Sequence, residues 1–153
     1  MTTLRSVTLA VTGGIAAYKC CELVRGLKKA GIDVHVAMTE HAAAFVGPIT
    51  FEALTGHPVA SRNGRRSSGS MPPHRAQPLE RPPHRDARYG EHHRQGAHGI
   101  ADDLVSTMIA ARRQPVLFVP AMNRFMWENP ANLRNVEQLR RDGACLRAPP
   151  AAS

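Results

Sequence analysis

The stretch VTLAVTGGIAAYKCCELVRGLKKAG, residues 7–31, decides the fold. Residues 7–11 form a β-branched, apolar run of strand length, and Thr12-Gly13-Gly14 interrupts it with residues that permit a tight turn. From Ile15 the period changes. Ile15, Ala16, Cys20, Leu23, Val24 and Leu27 recur at helical spacing, the basic residues fall mostly off that face, and Gly31 stands where a C-terminal glycine belongs. Strand, glycine turn and helix follow one another. Such a turn leaves backbone N–H groups of the first helical turn open, where the helix dipole also favours negative charge, so a phosphate is a natural guest. Two glycines short of a full G-x-G-x-x-G are equally compatible with a purely structural turn.

Outward from this unit, residues 32–38 (IDVHVAM) alternate as a second strand, which completes a βαβ unit with parallel strands and a right-handed crossover. Thr39 then lies at the carboxyl edge, where open α/β sheets bind ligands. Its hydroxyl either completes a phosphate cradle or caps the next helix. Residues 42–46 and 48–54 read as two short helical pieces. Residues 99–112 recover helical spacing, 116–119 (VLFV) is a buried-strand run, 132–143 a final helix, and 144–147 a last short strand. Asn123 follows the VLFV strand. Its amide suits a carboxylate or a phosphate, and a plain turn role is the alternative. Met122, Phe125, Met126 and Trp127 form an apolar wall, of a kind that is more often core than cofactor box.

The chain has 153 residues and a formal net charge of +8, so one domain with a real core is expected. A balance this basic raises nucleic acid or acidic membranes as partners. Its placement argues otherwise, because residues 61–98 hold eight arginines against Glu80, Asp86 and Glu91, and the rest is nearly balanced. That segment offers only Tyr89 for stacking on bases, so neither nucleic acid nor membrane is expected. Three cysteines make no disulfide framework and fit a reducing, cytoplasmic compartment. No signal peptide or transmembrane run is expected.

TGGIAAYK, AMTEHAAAFVGPITFEALTGHPV, HGIADDLVSTMIAAR and PVLFVPAMNRFMWENPANLRNV resemble the homo-oligomeric flavin-containing cysteine decarboxylases, which include the phosphopantothenoylcysteine decarboxylases of coenzyme A biosynthesis. The resemblance implies a Rossmann-like three-layer α/β sandwich with a parallel sheet and a single domain over 1–153. A βαβ flavin-binding half spans 1–60 and a second part 99–153, shortened before the family's substrate lid. It implies FMN as cofactor, a trimer or multiple of trimers, and Gly13, Gly14, Ile15, Thr39 and Phe45 at the flavin. Met122 and Asn123 would meet the cysteinyl carboxylate of the substrate. The family's reaction oxidises the substrate thiol, and the resulting thioaldehyde serves as the electron sink for loss of carbon dioxide. His74 stands near the place of the catalytic histidine, and with Asn123 it is a catalytic candidate; a solvated loop histidine is its other reading.

Residues 61–98 break the pattern, with one leucine, no valine, isoleucine or phenylalanine, five prolines and five histidines. Composition alone gives a disordered basic loop, which is improbably long inside a compact α/β domain. Synonymous codons supply an explanation. PHRAQPLER written CCA CAT CGA GCT CAG CCG CTG GAG CGC gives H-I-E-L-S-R-W-S one nucleotide later. ARYGEHHRQ written GCC CGC TAC GGC GAA CAT CAT CGC CAA G gives P-A-T-A-N-I-I-A-K in the same frame. The resemblance implies an HIEL-type segment with the catalytic histidine and a P-A-T-A-N-type loop at the flavin in this place; both return in order, so the segment reads as a frame-shifted translation, with the frame restored near residues 96–98. An impaired decarboxylase, or an FMN-binding domain without catalysis, is the expected outcome.

Overall fold

The computed structural model describes residues 5–61 and 91–148. His74 and residues 62–90 of the segment read as out of frame lie outside the described residues. β1 (Ser6–Val11) runs into a 3-10 turn (Ile15–Tyr18) and α1 (Lys19–Lys29), and the chain returns through β2 (Asp33–Met38). The two strands pair from Ser6 opposite Asp33 to Val11 opposite Met38, parallel as the βαβ reading expects. α1 ends on Gly31, whose φ of 77° is open to glycine at little cost, and Ile32 N–H closes the turn on the carbonyl of Leu27.

Two short helices follow, α2 (Glu40–Ala43) and α3 (Pro48–Thr55), the second opened by Pro48 in its first turn and ended by Gly56 at φ 77°. β3 (Ala60–Ser61) adds beside the carboxyl end of β2, again in parallel. α1, α3 and α5 (Leu104–Ala110) all lie against β2. Val11, Val24, Val34, Val36, Met38 and Phe51 are buried there as one apolar cluster. Truncating Phe51, which is fully buried, to alanine costs about 3–5 kcal/mol at such a site.

Past the undescribed stretch come α4 (Glu91–His98) and α5, then β4 (Leu117–Phe118), α6 (Arg124–Trp127), α7 (Pro130–Arg141) and β5 (Cys145–Leu146). β4 and β5 pair in parallel as a separate two-stranded sheet. Phe118, Leu139 and Ala144 form a second, smaller core. The α/β architecture with parallel strands is the one expected, in two sheets among the described residues.

Several details differ from expectation. In the VLFV run read as a buried strand only Phe118 is buried, with Leu117 and Val119 each 62% exposed because β4 pairs with β5 alone among the described residues, and Phe125 of the apolar wall is 86% exposed. Residues 91–98 are helical, not an irregular loop, because Gly96 lets α4 press onto α7: a Cβ there would stand 3.2 Å from Leu139 Cδ2. α5 starts at Leu104, not residue 99, since Asp103 and Ser106 form a reciprocal capping box that fixes the first turn. Ile15 and Leu23, placed on the core face of α1 by periodicity, are exposed at 69% and 47%. The 3-10 start advances three residues per turn and carries Ile15 out of phase, while Val24 takes the core position beside Leu23. β3 had no signal of its own.

Candidate functional site

The carboxyl end of β1 leads straight into Gly13-Gly14. Ala17 N–H reaches back to the carbonyl of Gly14 at 3.0 Å, so the turn is closed from within and Ile15 opens the helical segment. Gly13 is fixed by contact: a Cβ built on it would lie 2.6 Å from Cβ of His41, which no side chain tolerates without moving α2. The two carboxyl ends are clamped together one step further, where Thr39 N–H donates to the carbonyl of Val11 at 3.1 Å. Gly13, Gly14, Ile15 and Thr39 therefore come together on one rim.

Thr39 itself is buried, and its hydroxyl oxygen accepts from Ala42 N–H at 3.2 Å, which makes it the N-cap of α2. Capping uses a lone pair and leaves the hydroxyl proton available as a donor. Phe45 follows on the turn that ends α2, its N–H on the carbonyl of Ala42, with its ring exposed. Ile15 is exposed beside the first turn. His41, unforeseen in sequence, is the wall behind Gly13; its one signal was its place two residues after a capping threonine.

Met122 and Asn123 occupy the carboxyl end of β4. The Asn123 side-chain oxygen accepts from Met126 N–H at 2.9 Å, capping α6. Met122 is half-buried, and Asn132 bridges this loop to α7 by donating to the carbonyl of Trp127 at 3.2 Å and to the Met122 sulfur at 3.7 Å. No hydrogen bond among the described residues joins this pair to the Gly13 rim. Each group sits at the carboxyl end of its own parallel strands.

A depression of about 740 Å³ lies elsewhere. Gln114 and Pro115 before β4 and Asp142 and Gly143 before β5 line it, which places it at the amino-terminal edge of that sheet. Its size does not make it the site, because the helix dipole, the glycine turn and the two capping side chains all belong to the carboxyl edge.

α4 carries the electrostatic anomalies. His92 Nε2 meets Asp103 Oδ2 at 3.0 Å. Burial pushes the Asp103 carboxyl up, yet the hydrogen bonds from His92 and Ser106 outweigh it and hold the group at about 2. His93 is buried with Nδ1 lacking a protein partner, and burial, then the charge of His92, lowers it from 6.5 to about 4. Gln95 is also buried; its Nε2 donates to Asp102 at 2.7 Å while Oε1 has no protein partner.

No helix among the described residues is long and apolar enough to cross a membrane. The sequence profile of the Flavoprotein family matches residues 1–78 and 95–152, further than the motif blocks alone reach and with a gap inside the anomalous segment. The chain is 39% identical over 150 residues to the coenzyme A biosynthesis bifunctional protein CoaBC of Bacillus subtilis, covering 95% of this chain and 36% of that protein. For the CoaBC of Mycobacterium tuberculosis the identity is 41% over 145 residues, with 95% and 34% covered. The chain thus spans about a third of the length of these curated relatives. Among solved structures, the FMN-dependent cysteine decarboxylase SpaF superposes with a TM-score of 0.76 at 28% identity, covering 97% of this chain and 86% of that one. A glycine turn at the rim of a parallel sheet, an asparagine cap beyond a later strand and a profile match over most of the length have one common account: the chain belongs to the Flavoprotein family.

Proposed function

We propose that this chain is an FMN-dependent decarboxylase of coenzyme A biosynthesis, taking phosphopantothenoylcysteine to phosphopantetheine with release of carbon dioxide. The observation that carries the substrate half is the cap at Asn123. With one lone pair of Oδ1 taken by Met126 N–H, the amide turns its two N–H donors to a ligand, which favours a carboxylate over a cation. Met122, tied to Asn132, holds the loop that presents it.

For the cofactor, the rim fits a flavin phosphate. The Gly13-Gly14 turn allows a close backbone approach, the first helical N–H groups supply donors, Thr39 has a proton to give, and Ile15 and Phe45 are exposed apolar surfaces for a ring. Bound FMN supplies the two-electron acceptor and donor that the thiol chemistry requires. The protein's share is to hold phosphate at the rim, to fix the substrate carboxylate at Asn123 and to shield the reacting carbon from water.

Exposed Ile15, Tyr18, Phe45, Ile49 and Phe125 support a homo-trimer or a multiple of trimers that covers these side chains. Three unpaired cysteines support a cytoplasmic location. His74 is proposed as a catalytic group by sequence position. The second reading, an FMN-binding domain without turnover, is favoured by the two unpartnered buried polar atoms on α4, which mark an imperfectly matched junction beside the second sheet. Purified protein that is yellow, with a flavin spectrum, and that releases carbon dioxide from phosphopantothenoylcysteine supports the decarboxylase. Yellow protein without release selects the binding domain, and colourless protein that takes up no added FMN overturns both. In an active preparation, Asn123→Asp sets a carboxylate against the substrate carboxylate and lowers kcat/KM by about 100-fold or more, while FMN stays bound.

A further inference from the structure

At the opposite end of β2 from the flavin rim, Asp33, His35 and His57 converge. Asp33 and His35 are two apart on one strand and so share a face, and His57 arrives from the loop after α3. His57 Nε2 lies 2.8 Å from Asp33 Oδ1, and His35 Nε2 lies 3.1 Å from Asp33 Oδ2. One ligand atom from each residue falls within 4.8 Å of the others, the one such trio of His, Cys, Asp or Glu among the described residues. We propose that these three side chains form a binding site for a divalent transition-metal ion of the Zn²⁺ class.

Chemistry selects the ion. Two imidazoles and one carboxylate suit Zn²⁺, Co²⁺, Ni²⁺ or Cu²⁺ and are poor for Mg²⁺ or Ca²⁺, which prefer all-oxygen shells. With metal–ligand bonds of about 2.0–2.1 Å, neighbouring donors in a tetrahedral shell stand about 3.3 Å apart. The two His–Asp separations are already near that value. Each Nε2 proton now donated to Asp33 must move to Nδ1 or to solvent for the ion to enter. The two rings are stacked, with centroids 4.3 Å apart and planes 19° from parallel, so their nitrogen lone pairs do not yet meet. One ring must swing about χ2, a small motion for side chains that are 36% and 51% exposed.

The backbone under His57 is well fixed, which a loop site needs. Thr55 is buried, its hydroxyl donates to the carbonyl of Phe51 at 2.8 Å, and His57 N–H donates to the Thr55 hydroxyl oxygen at 3.1 Å. Lys28 Nζ is held on the carbonyl of Thr55 at 2.8 Å. A bound ion would tie β2 to the α3 loop and thereby stabilise the native chain.

Calorimetric titration of the untagged full chain with Zn²⁺ near neutral pH tests this, with Co²⁺ absorption as a second readout. The other histidines of the chain make the comparison between variants decisive. In the double variant His35→Ala/His57→Ala, and separately in Asp33→Asn, the tightest site is expected to weaken roughly tenfold or more. Zn²⁺ should raise the melting temperature of the parent and not of the double variant. Should the double variant fail to fold by circular dichroism, Asp33→Asn, which removes a charge at constant size, carries the comparison. Identical isotherms for the parent and Asp33→Asn, or a parent that takes up no Zn²⁺, overturns the site.

Discussion

His93 lies edge-on to Phe118, ring centroids 5.3 Å apart with planes at 65°, and its Nδ1 is buried without a protein partner. An unmatched buried nitrogen costs about 1–3 kcal/mol, so His93→Ile, which removes it at similar volume, should raise stability by that order. A rise of several degrees in melting temperature is the measurement that checks it. Gln95→Leu should gain less, because it also breaks the bond to Asp102.

The same histidine sets a pH dependence. Its folded pKa is lowered from 6.5 to about 4, so between those values the unfolded chain binds the extra proton. Stability is therefore complete above about 6.5 and is lost as pH falls toward 4, by about 3 kcal/mol in all. Asp103, held at about 2 against 3.8, gives a further loss in the same direction below pH 4. Denaturant midpoints across pH 4 to 7 should slope downward with acid in the parent chain. In His93→Ile the slope between 6.5 and 4 should flatten, and an unchanged slope would assign it to another group.

Local patterns made the first half of the fold legible. β1, the glycine turn, α1 and β2 each carry a period or a punctuating residue of their own, and the parallel pairing follows from the βαβ order, while the register from Ser6 to Met38 is set by the packed structure. β3 has two residues and exists only through its pairing with Ala37 and Met38, so nothing in its composition announced it. Thr39 and Asn123 were legible as polar residues at strand ends. Their capping geometry, which decides which atoms are left for a ligand, depends on φ and ψ of neighbours and was not. The Asp33–His57 contact joins residues 24 apart and is visible only once α3 turns the chain back.

Gly13 and Gly26 make a matched pair of glycines with opposite expectations. A Cβ on Gly13 meets His41 Cβ at 2.6 Å, whereas one on Gly26, inside α1, meets nothing within 4 Å. Gly13→Ala should destabilise by about 1–3 kcal/mol through overpacking and weaken FMN binding by shifting the turn. Gly26→Ala should stabilise by about 0.5–1 kcal/mol. Pairing Gly13→Ala with His41→Gly removes the clashing atom and should restore part of the loss. Fluorescence titration with FMN alongside thermal melts separates the two effects, and a Gly13→Ala chain with parental affinity would show that the turn does not approach the cofactor.

The coding DNA across residues 60–100 tests the origin of the anomalous segment, and several of its constraints do not depend on codon choice. His92 and His93 are each followed by a residue; His codons are CAT or CAC, so with a following codon that begins with C the shifted triplet is ATC or ACC, isoleucine or threonine. Glu91 before His92 shifts to AAC or AGC, asparagine or serine, and Tyr89 before Gly90 shifts to ACG or ATG, threonine or methionine. The alternatives at these positions always include the T, N and I of P-A-T-A-N-I-I. The structure adds an independent sign, since the two buried polar atoms without protein partners among the described residues both fall on α4, on His93 and Gln95. An isoleucine at 93 would face Phe118 with no polar atom to satisfy. We expect the codons to spell H-I-E-L and P-A-T-A-N one base along, and the chain rebuilt in that frame to bind FMN more tightly and to release carbon dioxide from phosphopantothenoylcysteine faster than the present one. Codons that spell neither motif would leave the segment as the chain's own in-frame sequence, and the rebuilt frame would then have no claim on the fold.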